Sequence, residues 1–126
     1  MFYKQAYKDV TKAEKDASLA INFFQNHYGV KEDNTRHLHD ETYSKCEQLY
    51  SGLDNHLYNY KHRSLYVHVL IGHGALKDGY QSLLINEPEK IGGGAYYKRL
   101  EVIKTIKGLA EKYPLAYHWV IFDCCV

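Results

Sequence analysis

Disulfide staples, a strong charge of either sign and a long hydrophobic run are all missing from this chain, and each absence removes a class of function. Its three cysteines, Cys46, Cys124 and Cys125, are too few for a disulfide framework, and an adjacent pair makes a poor bridge. A reducing, cytoplasmic setting is expected. Sixteen basic residues against 15 acidic ones leave a net charge of +1, so no electrostatic argument favours nucleic acid or an anionic membrane as a partner. No apolar run approaches the ~18 residues of a membrane span. The opening Met1-Phe2-Tyr3-Lys4-Gln5-Ala6 also lacks the apolar core of a signal peptide. With no internal repeat, low-complexity tract or linker, residues 1–126 read as one domain.

What is present is an apolar fraction of 45%, enough for a core of modest size. The 13 tyrosines have no basic stripe beside them, so they are expected at the rim of that core rather than as a stacking platform for bases. Thr11-Lys12-Ala13-Glu14 reads as a capping box opening a helix whose apolar face carries Ala17, Ala20, Phe23, Phe24 and Tyr28, with Gly29 as its stop. Residues 1–10 are too polar for a strand. A short strand is predicted at 34–38, then a helix capped by Asp40 that carries Tyr43, Cys46, Leu49, Tyr50, Leu53 and Leu57 and ends near Tyr60. Cys46 on that face is a core residue. A strand at 65–71, a loop through Asp78-Gly79, a small strand at 82–85 and an irregular connection through Glu87-Pro88 and Gly92-Gly93-Gly94 follow. A third helix at 96–113 places Leu100, Ile103, Ile106, Leu109 and Ala110 inward and is closed by Pro114, and the last strand is 116–122. Alternating helices and strands predict an α/β fold with a mostly parallel sheet covered on both faces.

Two of these runs end in chemistry. Tyr66-Val67-His68-Val69-Leu70-Ile71 leads into Gly72-His73-Gly74, and Tyr117-His118-Trp119-Val120-Ile121-Phe122 leads into Asp123-Cys124-Cys125. Functional groups in open α/β sheets collect beyond the carboxyl ends of such strands. A thiol of ordinary pKa ~8.5 is a weak nucleophile at neutral pH, and a nearby imidazole raises its thiolate fraction and later protonates the leaving amine. His73 and Cys125 are the candidates, about 50 residues apart, which is the His-to-Cys spacing of caspases. By the period-2 rule Cys124 points away from Cys125 and reads as structural. Singly, a histidine placed like His73 is more often a turn residue than a base, and a terminal Cys-Cys is more often incidental than catalytic; it is the pairing that argues for a dyad. His37 and His39 alternate like a metal clip but lack a third ligand. His68 and His118 read as hydrogen-bonded sheet residues.

These residues resemble the caspase-like cysteine peptidases, and among them the metacaspase branch, in which one strand ends in Ser-Gly-His-Gly and a later one in Asp-(Ser/Cys)-Cys-His-Ser-Gly. The matching segments are Ile71-Gly72-His73-Gly74 and Asp123-Cys124-Cys125-Val126, supported by Lys15-Asp16-Ala17, Gly29-Val30, Leu38-His39-Asp40-Glu41-Thr42 and Asp78-Gly79. The resemblance implies a caspase-like three-layer sandwich and a cysteine endopeptidase that needs no cofactor. Cys125 would be its nucleophile, His73 its acid–base group, and the backbone N–H groups of Gly74 and Cys125 its oxyanion donors. It further implies a preference for Arg or Lys before the scissile bond, through carboxylates at Asp16 and Asp123, although Ile71 stands where the family has serine. Asp78 matches one carboxylate of the family's calcium site, but Gly92-Gly93-Gly94 replaces an aspartate pair, so no metal site is expected. The family begins with a strand before the first helix and continues past the nucleophile into a small subunit. The chain therefore reads as the large-subunit portion, expected to bind a peptide or protein substrate and to form a homodimer or recruit the missing half. An inert caspase-like domain regulating a full-length enzyme is the alternative, and a generic α/β domain with accidental motifs is the third.

Overall fold

A computed structural model describes the backbone of residues 2–39, 41–77, 79–91 and 94–124, and their side chains except at 2–12, 77, 86–97 and 124. The fold is mixed α/β: helix α1 (Phe2–Tyr28), helix α2 (Tyr43–Asn59), strands β1 (Ser64–Gly72), β2 (Gly74–Lys77), β3 (Tyr80–Ile91) and β4 (Gly94–Leu100), helix α3 (Val102–Lys112) and strand β5 (Ala116–Cys124). β1 and β5 form a two-stranded parallel sheet, and β2-β3-β4 form a separate antiparallel one. The mostly parallel central sheet expected from the sequence is thus reduced to one parallel pair.

That pair organises the core. Leu70 of β1 packs with Cys46 of α2, Ile85, Leu100, Val102 and Ile106, flanked by Val120 and Phe122 of β5. Leu57, Leu109 and Ala116 form a second cluster beside it, so α2 and α3 cover the same sheet face. Alternation sends Val67 and Trp119 to the opposite face, where Phe24 of α1 meets Trp119 edge-on at 5.6 Å. α1 covers that face incompletely, leaving Leu65, Tyr117 and Trp119 each 41–54% exposed.

Several expectations are corrected. α1 runs unbroken through Thr11–Glu14, because residues 2–10 contain neither proline nor glycine to resist the helix and the capping-box pattern is then interior sequence. Its stop at Gly29 is as expected, with φ +67°. The strand predicted at 34–38 does not form. A 3-10 turn occupies Glu32–Asn34, and the next residues bond locally: Thr35 Oγ1 donates to Lys31 O at 3.0 Å and Arg36 Nη1 to Asp33 O at 2.7 Å. Such side-chain bonds compete with a ladder. Asp40 lies outside the described residues, and Thr42 is the α2 N-cap, accepting from Lys45 N at 3.3 Å.

The helix predicted at 96–113 starts late, at Val102, because 94–100 pairs with β3 as a strand. Tyr96 and Tyr97 are strand formers, and Leu100 is buried as a strand residue rather than a helical one. The predicted short strand at 82–85 belongs to the longer β3, whose register shifts between Leu84 and Pro88, where proline cannot donate to the ladder. The loop expected after His73 is instead the hairpin β2–β3, with Gly79 at φ +79° in its connection.

Candidate functional site

The two motif-bearing strands are neighbours in parallel register, with Ile71 opposite Asp123 and Gly72 opposite Cys124. β1 and β5 therefore end at the same edge of the sheet, with Gly72 and Cys124 as their last matched pair. His73 is half-buried at the joint between the two sheets. Its carbonyl accepts from Leu84 N at 2.8 Å, which ties the end of β1 to the root of the β2–β3 hairpin. Gly72 makes the exit feasible: its φ of +148° is open to glycine and strained for any residue with a Cβ. Cys125, the predicted nucleophile, lies outside the described residues, as does Asp78.

Gly74, the predicted oxyanion donor, begins β2 and pairs with Leu83. With the His73–Leu84 bond in place, ladder alternation turns the Gly74 N–H away from β3, toward the free side of an edge strand. Asp123 is exposed, and alternation puts it on the α1 face of the sheet; Asp16, half-buried, is on α1 itself. The predicted pocket carboxylates are therefore on the same side of the parallel pair. Among the described residues, no three of His, Cys, Asp and Glu converge to hold a metal ion. His37 and His39, whose ring centroids are 6.5 Å apart, are exposed. No helix among the described residues is long and apolar enough to cross a membrane.

The sequence did not disclose a ring column on the α2 face. His68 Nε2 and His118 Nδ1 are 2.9 Å apart, a cross-strand hydrogen bond between neutral rings. Tyr50 of α2 stacks on His68 at 6.0 Å, and Tyr66 stacks on His118 at 5.7 Å. His56 Nε2 meets the Tyr66 hydroxyl at 3.0 Å. Burial first, and the facing His118 second, push His68 down to about 4; burial also lowers His118. Burial, with the neighbouring Cys46 thiol adding to it, raises Tyr50 to about 12. Both histidines were expected to be fully bonded sheet residues, yet among the described residues the buried His118 Nε2 has no hydrogen-bond partner. The i, i+2 spacing of Tyr66 and His68 on a strand was the available signal.

A second polar group sits on the surface between α2 and the end of α3. Tyr113 donates a short hydrogen bond to Asp54, whose carboxylate also takes Lys112 Nζ at 3.2 Å. Tyr113 first and Lys112 second hold the Asp54 carboxyl below its ordinary range. The groove there, about 330 Å³ and bordered by Ser51, Asn55 and Tyr58, is open and shallow. Tyr113 lies just before Ala116, the opposite end of β5 from Asp123. Comparison with protein-family models, with curated proteins and with solved structures finds no match.

Proposed function

We propose that the chain is a cysteine endopeptidase of caspase-like type, with Cys125 as nucleophile and His73 as acid–base partner. The observation that carries this reading is the parallel register of β1 and β5, whose last matched pair, Gly72 and Cys124, immediately precedes both groups. Cys125 Sγ passes its proton to His73 and attacks the substrate carbonyl, His73 delivers that proton to the departing amine, and water then hydrolyses the thioester. The outward N–H of Gly74 is suited to stabilise the oxyanion. Asp16 and Asp123 favour Arg or Lys before the scissile bond through charge pairing. Within this reading the fold is the large-subunit half of a caspase-like sandwich, and its partners are peptide substrates.

The test is covalent labelling by a peptidyl-arginine acyloxymethyl ketone, located by peptide mass spectrometry. The expected result is an adduct on Cys125 that is lost in Cys125→Ala and slowed at least tenfold in His73→Ala. An adduct confined to Cys124, or labelling indifferent to His73, would replace this reading with that of an inert binding domain.

A further inference from the structure

We propose that His68 and His118 form an acid-operated latch, which holds β1, β5 and α2 together while the pair is neutral and releases them when both rings take protons. The inference does not depend on whether Cys125 is a nucleophile. It starts from the bond itself. With Nε2 of one ring 2.9 Å from Nδ1 of the other, one nitrogen donates and the other must be bare. Protonating both rings puts an N–H on each of the facing nitrogens and sets two cations, with ring centroids 5.2 Å apart, against each other. The bond that joins the central strands would become a repulsion.

The surroundings offer no relief. From α2 the pair is faced by the Tyr50 ring, neutral at neutral pH, and, beyond it, Cys46, while His56 meets Tyr66 and stacks on Tyr60. From β1 the neighbour is Tyr66, stacked on His118. On this face β5 adds Ala116, Val120 and Phe122. Beyond α3, Tyr113 packs in the adjoining cluster with its hydroxyl on Asp54, whose carboxylate is also engaged by Lys112. Among the described residues, burial lowers both rings, and the facing His118 adds to it for His68. Among the described residues nothing hydrogen-bonds the buried His118 Nε2, so a proton forced onto that ring meets no acceptor among them. Burial lowers both histidines, which is the direction that makes the open state the better proton acceptor.

The sign follows. Rings that bind protons more readily in the open state favour opening as pH falls below their ordinary ~6.5, by about tenfold per pH unit for one ring and up to about a hundredfold for both. The element that moves is α2, since Tyr50, Cys46 and Leu57 are its means of attachment to this face.

Hydrogen exchange at pH 7.0 and pH 5.5, corrected for intrinsic rates, tests the latch. Amides of 66–70 and 118–122 should lose protection by about tenfold or more at the lower pH, and a His68→Phe/His118→Val double variant should lose less than threefold. Equal protection at both pH values in the unmodified chain, or an undiminished loss in the double variant, overturns the proposal. Should the double variant not fold, ring-nitrogen NMR of the unmodified chain decides alone. Both His68 and His118 should remain neutral at pH 6, and an ordinary midpoint for either overturns the latch.

Discussion

Replacing Gly72 by alanine separates two costs that usually arrive together. A Cβ built on Gly72 has Leu83 Cδ1 as its nearest neighbour at 3.5 Å, an ordinary van der Waals contact, so crowding contributes little. The backbone is the obstacle, because φ +148° lies in a region nearly confined to glycine and costs another residue about 1–3 kcal/mol. Alanine recovers about 0.4–1 kcal/mol through a less free unfolded chain. The expected net loss is therefore about 1–2 kcal/mol, read as a lower urea midpoint at unchanged slope. If the chain relaxes instead to a negative φ, the 72–73 peptide turns, the 2.8 Å bond from Leu84 N to His73 O breaks, and exchange at the Leu84 amide quickens. Gly52→Ala in α2 is the control: its Cβ meets nothing within 4 Å and its φ is not positive, so it should stabilise by about 0.5–1 kcal/mol. A Gly72→Ala protein within about 0.5 kcal/mol of the parent, with Leu84 still protected, would show that neither the strain nor the tie is real.

Val102 is fully buried at the start of α3, and Val102→Ala removes two methyl groups at about 0.8 kcal/mol each plus a cavity term; equilibrium unfolding should show a loss of about 2 kcal/mol, and one below 1 would mean the core closes over the gap. His68, lowered to about 4, should contribute up to ~3 kcal/mol at neutral pH. That stability is present above pH ~6.5 and is lost as pH falls toward 4, because the unfolded chain takes the proton first; urea midpoints rising on acidification would contradict it. In Tyr113→Phe the Asp54 carboxyl loses its main stabilising donor, so its titration, followed at the carboxyl carbon, should move upward, and an unchanged curve would mean the short bond is not maintained in solution.

Elements with a strong local period were legible in the sequence. The strands predicted at 65–71 and 116–122 form as β1 and β5, running on to Gly72 and Cys124, and with the stop at Gly29 and the close of α2 at Tyr60 they follow from β-branched runs, a left-handed glycine and a lost helical period. The buried role of Cys46 followed from its helical face. Where two structures compete for one segment, local reading failed. Residues 96–100 carry apolar spacing compatible with a helix, and pairing of Leu100 with Leu83 decides for a strand. Residues 34–38 have strand composition but bond to themselves. The Asp78-Gly79 pair was a hairpin signal taken for a loop, although Lys77 pairs with Tyr80 across it. The histidine pair was hidden for a different reason: its two rings are 50 positions apart, and only the β1–β5 register brings them into contact.

Trp119 is the only tryptophan in the chain, and its ring lies against Phe24 at 5.6 Å and Tyr28 at 6.3 Å, both from α1. His118, one residue earlier on the same strand, faces the opposite way. The protein thus carries an optical probe confined to one side of the sheet. Indole emission reports whether the end of α1 is seated and is blind to the ring column beneath α2. Fluorescence and tyrosine-sensitive circular dichroism, followed in one titration, would reveal whether the two sides of the parallel pair come apart together or in sequence.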